Sequence, residues 1–215
     1  MRIKIDTSKV TGGVEGGAFL DKDFYDIWHY KDVEFESGKI YGLVSEYGQG
    51  CMYLSYLLGG RVDFDELQIF IDGNGVTETD LMALSWNLEP AKEKYKNKTV
   101  KKSIEQAIKK NGCKDSFEDI AREFWLTEPR YDRRLRQLSG ERWRASAALG
   151  YANGKRIFYA PYECTKFYHQ MNSSNLFKVL RYLADKGTIV VLPVGSDAFL
   201  KTVVDECIYL DRVYE

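Results

Sequence analysis

Ser45 to Met52 read S-E-Y-G-Q-G-C-M, a stretch with the spacing of a phosphate-binding loop and little of its chemistry. Such a loop, G-x-x-x-x-G-K-S/T, works through backbone N–H groups aimed at an anion, a lysine ammonium on the outer phosphates and a hydroxyl that holds Mg²⁺. Here Ser45 stands at the first glycine, Gly50 keeps the second, and Cys51 and Met52 fill the lysine and hydroxyl positions. Gly48, Gln49, Gly50, Cys51 and Met52 therefore remain as candidate positions for holding a phosphate through main-chain donors. Cys51 reads as a small buried hydrophobe in the absent lysine's space. The other reading is a thiol activated by a helix N-terminus, for which no general base or resolving cysteine lies nearby in sequence. Glu46 adds a carboxylate that repels a polyphosphate unless it points away.

The elements around this loop have the order that the motif needs. Ser37-Gly38-Lys39 turns into the apolar strand Ile40 to Val44, which runs into the loop, and Met52 to Leu58 has helical character. Upstream, Met1 to Val10 alternates as a strand, a glycine-rich loop follows at Gly12, Gly13, Gly16 and Gly17, and Tyr25 to Phe35 is rich in β-formers. Downstream, Leu67 to Ile71 reads as a strand closed by Asp72-Gly73-Asn74-Gly75. From Pro90 to about Gln137 the composition turns lysine-rich and amphipathic, with Val100, Ile104, Ala107 and Ile108, then Phe117, Ile120, Ala121 and Phe124, at helical spacing. Beyond it the spacing predicts a helix over Arg144 to Ala152, a strand over Arg156 to Ala160, a helix over Asn175 to Leu183 closed by Lys186-Gly187, and strands at Ile189 to Leu192 and Cys207 to Leu210. That alternation implies parallel strands with helices on their faces. The expectation is one α/β domain over residues 1–215, with an antiparallel β region first, a mainly parallel core sheet, and a helical lobe inserted over residues 90–137.

Composition narrows the function classes. Lysine plus arginine (31) nearly balance aspartate plus glutamate (32), which provides no global field for nucleic acid or an acidic membrane surface. Arg130, Arg133, Arg134, Arg136, Arg142 and Arg144 cluster, but Glu128, Asp132 and Glu141 alternate with them, as on a solvated face. No apolar run approaches the roughly 20 residues of a membrane span, and M-R-I-K-I-D-T-S-K-V is a charged strand rather than a signal peptide. Cys51, Cys113, Cys164 and Cys207 form no C-x-x-C pair, and His29 and His169 are the only histidines, so the reading is a cytosolic chain with no metal site.

The order of segments resembles the ATP-binding cassette family, the nucleotide-binding domains of ABC transporters, over nearly the whole chain. The resemblance rests on S-G-K-I-Y-G-L-V before the loop, the helical insertion, and L-S-G-E-R-W-R at Leu138 to Arg144 ahead of an alanine-rich helix. It continues through R-I-F-Y-A, V-V-L-P-V-G-S-D-A-F-L and V-V-D-E-C-I-Y-L-D. It implies an ABC-type P-loop ATPase fold. It also implies that Ser139 and Gly140 open a signature helix whose N-terminus meets the γ-phosphate of ATP held by an opposite subunit, with Glu141 where many members have a second glycine. The bland reading of Ser139 is an N-cap.

Other family positions are not matched. The strand Ile157 to Tyr159 runs into Ala160-Pro161-Tyr162-Glu163 with no metal-holding aspartate. Glu163 is the one catalytic candidate, a displaced base, though beyond a proline it reads as a surface-loop residue. Ser196 takes the switch histidine's place, and Asn87 is the nearest counterpart of the lobe-joining glutamine. The residues 87–94 correspond to a transporter-coupling surface, and Tyr25, Trp28 or Tyr30 to the adenine-stacking aromatic.

The function expected from this pattern is a degenerate ABC-type nucleotide-binding domain, a pseudo-ATPase acting as a non-hydrolysing subunit or regulator. It pairs with a competent ABC ATPase subunit or a transporter membrane subunit, without nucleic acid or membrane insertion, and is peripheral at the membrane through the transporter. No cofactor is required, ATP is held weakly if at all, and the isolated chain is a monomer. Two alternatives stand beside it: a stand-alone protein-interaction scaffold drawing on its 15 tyrosines, and an ABC-type ATPase with an atypical site.

Overall fold

The computed structural model describes residues 1–6, 9–14, 24–29, 32–62, 68–89 and 98–210. The chain opens with β1 (Arg2–Asp6), β2 (Lys9–Val14), β3 (Phe24–His29), β4 (Val33–Glu36) and β5 (Lys39–Val44), the last feeding α1 (Cys51–Leu58). β6 (Gln68–Ile71), β7 (Asn74–Gly75), α2 (Glu78–Leu84) and β8 (Ser85–Asn87) follow. Two helices, α3 (Val100–Asn111) and α4 (Phe117–Glu123), precede α5 (Arg142–Ala152) and β9 (Ile157–Tyr159). The remainder is α6 (Thr165–Asn172), α7 (Leu176–Asp185), β10 (Ile189–Val194) and β11 (Glu206–Tyr209).

Two sheets hold these elements, with β2 and β3 as a separate antiparallel pair. One sheet is antiparallel, in the order β4-β1-β6-β7, and period-two alternation turns Ile3, Ile5, Val33, Phe35 and Ile69 into its buried face. The other is parallel, in the order β11-β5-β10-β9-β8. Its central strand β10 is buried at every residue, as a sheet covered on both faces demands.

Helix α1 fills the space between the sheets. All eight of its residues are buried, seven of them in a cluster shared with Ile3, Ile5 and Phe35 of one sheet and Tyr41, Leu43 and Val191 of the other. A helix apolar on every side has nowhere else to go. Its Ser55 hydroxyl donates to the Ala160 carbonyl at 2.6 Å, which ties the helix to the exit of β9.

The opposite face of the parallel sheet is covered by α5 and α7, with α3 and α4 joining the same apolar cluster through Val100, Ile104, Phe117 and Ile120. Gly150 lets α5 lie against β8 and β9, since a Cβ there would stand 2.6 Å from both Trp86 and Phe158. α4 ends unusually: Trp125 takes a positive φ of 54° at the position where glycine is favoured, and Leu126 N–H closes the turn on the Ala121 carbonyl at 2.8 Å.

Three expectations change. Gly12 and Gly13 are not loop residues but lie within β2, paired with Asp26 and Tyr25 of β3; Gly16 and Gly17 lie outside the described residues. The strand expected over Ile189 to Leu192 continues through Pro193 to Val194. Proline is tolerated there because Val191 is the last residue paired with β9, on the side that its missing N–H would face. Finally, α2, α6 and β8 are elements too short for periodicity to reveal, although Thr77 and Asp80 do form the capping box that starts α2.

Candidate phosphate-loop site

The loop is shaped by two glycines and anchored to β10. Ser45 N–H donates to the Val194 carbonyl at 3.2 Å, and Gln49 N–H closes a turn on the Glu46 carbonyl at 3.1 Å, with Gly48 at φ 82°. Gly50, at φ 100°, caps α1 without any side-chain hydrogen bond. Both conformations favour glycine over any residue with a Cβ. Glu46 and Tyr47 are exposed, Gly48 and Gln49 half-buried. Cys51 and Met52 are buried at 0% and 1%, and the Cys51 Sγ lies 4.0 Å from the Ser45 carbonyl oxygen. The two positions that would carry cation and hydroxyl are therefore packed core.

Parallel strands place further candidates at the same carboxyl edge, the usual location of ligands in open α/β sheets. Asn87 closes β8. Its Oδ1 accepts from Glu89 N–H at 3.0 Å and its carbonyl accepts from Ser146 Oγ at 3.1 Å, so it braces its own turn. Ser196, just past β10, is exposed; its Oγ accepts from Ala198 N–H at 3.3 Å and its carbonyl from Thr165 Oγ1 at 3.1 Å. Neighbouring Asp197 accepts from Tyr209 Oη at 2.7 Å and pairs with Lys201 at 3.7 Å.

Glu163 is not the surface-loop residue that the preceding proline suggests. After Pro161 the chain returns to β10: Glu163 N–H donates to the Pro193 carbonyl at 3.3 Å and the residue bridges Val194 in parallel, leaving it only 6% exposed. Burial pushes its carboxyl up to about 7; the nearby Glu89 carboxylate adds to the rise and Arg142 opposes it. Arg142 Nη2 itself lies 2.6 Å from Glu89 Oε1, an ion pair that sequence reasoning missed because its partners are 53 residues apart.

Ser139 and Gly140, the expected signature residues, lead into α5, whose first residue is Arg142. Ser139 is exposed, and the space beside Gly140 is open. Ser139 is not the N-cap: that position falls to Glu141, which makes no side-chain cap hydrogen bond, and the Ser139 carbonyl accepts from Arg142 N–H at 3.0 Å. Nor does Glu141 belong to a solvated charged face. It is 2% exposed and accepts from Thr127 N–H and Oγ1, both at 2.8 Å, and from Arg130 Nη1 at 3.0 Å, with Arg144 Nη2 at 3.9 Å. Arg144 is buried as well and donates to the Trp125 carbonyl. Part of the basic cluster is thus internal scaffolding, while Arg133 and Arg136 remain exposed.

Of the candidate adenine-stacking residues, Tyr30 lies outside the described residues, and Tyr25 and Trp28 are placed only as positions on β3. Residues 90–94 of the expected coupling surface also lie outside them. Among the described residues, no group of three or more histidine, cysteine, aspartate or glutamate side chains is placed to hold a metal, and no helix is long and apolar enough to cross a membrane.

Two outcomes follow from the buried carboxyls. The folded-state pKa of Glu163 lies above its ordinary 4.5, so its contribution to stability is complete below about pH 4.5 and is lost as pH rises through about 7. Urea melts across that range will show Glu163→Gln flattening the decline and gaining about 1–2 kcal/mol at pH 8, after discounting for solvent at the carboxyl tip. Glu141→Ala strands several buried donors, and its melt will show a loss of about 3 kcal/mol or more.

The sequence matches no protein-family model and no curated protein. Its fold has solved counterparts. A Pyrococcus furiosus protein assigned as an ABC transporter ATP-binding protein superposes with a TM-score of 0.66 at 14% identity, covering 98% of each chain. CbiO1 from Clostridium perfringens, part of the ABC transporter complex cbiONQ, gives 0.68 at 12% identity over 95% of this chain and 86% of its own. A dimeric ATP-binding cassette in a post-hydrolysis state, bound to ADP and Pi, gives 0.68 at 16% identity over 97% of this chain and 94% of its own. At such identities the fold is what is shared: this chain has the α/β fold of ABC transporter ATP-binding subunits, with an antiparallel sheet and a parallel sheet.

Proposed function

We propose that the chain is a degenerate ABC-type nucleotide-binding domain, one unit with residues 90–137 as its helical lobe, acting as a non-hydrolysing subunit or regulator beside a competent cassette. The observation that carries this reading is the packing of Cys51 and Met52 into the core at the lysine and hydroxyl positions. Phosphoryl transfer in this fold depends on positioning and on charge held around the phosphates. Without the lysine, and with alanine and proline at the exit of β9 in place of a metal-holding aspartate, this chain's own site lacks the parts that stabilise the transition state. Backbone donors from Gly48 to Met52 hold a phosphate weakly at most, with no metal, and Asn87 and Ser196 supply only neutral side chains to the same edge.

The signature segment supports the partner role. Ser139 is accessible, Gly140 has open space beside it, and α5 starts without a side-chain cap. An uncapped helix N-terminus of this length favours an anion. Glu141 does not oppose that, because its carboxylate is turned inward and accepts from Thr127 and Arg130. In this reading Ser139 and Gly140 complete the partner's ATP site, and the protein sits at the cytoplasmic face of a transporter without entering the bilayer. The scaffold alternative is less favoured: it calls for exposed tyrosines away from this edge, and two exposed tyrosines, Tyr47 and Tyr209, both sit on it.

One observation favours a second reading, an ATPase with an atypical site: Glu163 is a buried carboxyl with a pKa of about 7, near the value that suits a general base. A reconstituted pair with a competent cassette tests both. Disrupting the signature with Ser139→Phe and Gly140→Asp is expected to lower the partner's ATP turnover tenfold or more. Unchanged turnover overturns the partner role, and turnover by the isolated chain that disappears in Glu163→Gln establishes the second reading in its place.

A further inference from the structure

Glu163 and Arg142 both keep hydrogen-bonding capacity that the described residues leave unused. Glu163, 6% exposed, is held through its backbone to Pro193 and Val194, and among the described residues no hydrogen bond reaches its carboxyl. Arg142, the first residue of α5, donates from Nη2 to Glu89 at 2.6 Å, while its Nε–H is buried without an acceptor. A buried guanidinium donor in that condition is uncommon and calls for a reason. Glu89, after β8, and Arg142 are the charges that act on Glu163. The other titratable groups around this cluster are Tyr168 of α6 and the Cys51 and Cys164 thiols beside it. Tyr168 is already committed, since its hydroxyl donates to the Pro193 carbonyl at 3.3 Å. That leaves the Arg142 guanidinium as the cationic donor facing Glu163.

We propose that Glu163 and Arg142 form a proton-controlled clamp: when Glu163 gives up its proton to solvent, Arg142 turns its Nε–H to the new carboxylate while keeping Glu89, and one side chain then joins the exits of β8 and β9 to the start of α5. A guanidinium carries five donors in one rigid plane, so it serves two carboxylates at once. With Glu163 protonated, Arg142 serves Glu89 and the clamp is open. Burial, with Glu89 adding to it, holds the Glu163 carboxyl at about 7, so the clamp closes as pH rises through neutrality. Arg142 N–H also donates to the Ser139 carbonyl at 3.0 Å, which makes the clamp bear on the turn that carries Ser139 and Gly140. A device of this kind works in the isolated chain, whether or not those residues meet a partner's nucleotide.

Heteronuclear NMR of the full chain, recorded from about pH 5.5 to about pH 8.5, tests this through the Arg142 Nε–H and the Gly140 amide, one at each end of the clamp. Both resonances are expected to shift with a single midpoint at about 7. Solvent exchange of the Nε–H, corrected for its intrinsic pH dependence, is expected to slow about 10-fold or more as the charge-assisted bond forms. Glu163→Gln, close in shape and unable to ionise, is expected to remove the shifts and the slowing. Arg142→Lys keeps the charge without the Nε–H; in it the Glu163 carboxyl still titrates and the Gly140 amide no longer follows. In the unsubstituted chain, an Arg142 Nε–H indifferent to pH or a Gly140 amide that stays still overturns the clamp. So does a midpoint that survives in Glu163→Gln, or a Gly140 amide that still follows in Arg142→Lys. A null result in the partner-turnover assay leaves these outcomes unaffected.

Discussion

The loop and the β9 exit at the carboxyl edge are hung from the last two residues of one buried strand and its exit. The Pro193 carbonyl accepts from Glu163 N–H and from the fully buried Tyr168 hydroxyl, both at 3.3 Å. The next carbonyl, Val194, accepts from Ser45 N–H and so fixes the first residue of the loop. Gly195 then seats Tyr162. Alternate carbonyls of a strand face opposite neighbours, so one short stretch binds the β9 exit on one side and the β5 exit on the other. The rigidity of that stretch comes from below, where α1 is packed between two sheets that both contribute to its burial.

In the function proposed above, this arrangement keeps the geometry of a phosphate-handling edge and changes its electrostatics. Where an anion site needs fixed positive charge, the loop offers glycine N–H groups, a buried thiol and a thioether. Arg142, the cation that opposes the rise at Glu163, is already engaged by Glu89 at 2.6 Å. Burial at this position favours the protonated form of the carboxyl. Beside it, at the same start of α5, charge has been internalised: Glu141 and Arg144 fasten the segment from Trp125 to Arg130 to the helix. The Glu141 carboxylate thus holds the turn from Thr127 to Arg130, while Ser139, ahead of the helix, stays exposed.

Much of this was legible from the residues. Strand, glycine loop and helix could be read from Ile40 to Leu58 because apolar continuity and glycine punctuation are local signals, and the same is true of Lys186-Gly187 after α7. What escaped was set by contacts distant in sequence. Nothing near Glu163 announces that the chain rejoins β10 after Pro161, so a proline that reads as an exit to the surface is instead a detour back to the sheet. Likewise Glu141 looks like one more alternating surface charge until Thr127 and Arg130 fold over it. Pro193 ended the strand in the sequence reading, because whether a missing N–H matters depends on a neighbouring strand. Tyr47 and Tyr162 carry no motif, and only the fold brings their rings together.

The central claim is that the loop has kept main-chain donors and lost the means to hold a metal–nucleotide complex. Isothermal titration of the purified chain with ATP, with and without Mg²⁺ and at protein concentrations that detect millimolar binding, tests it most directly. The account predicts the same weak or absent heat in both titrations. A binding isotherm that appears only with Mg²⁺ contradicts it, because it requires a metal-holding site that Cys51, Met52 and the exit of β9 do not provide.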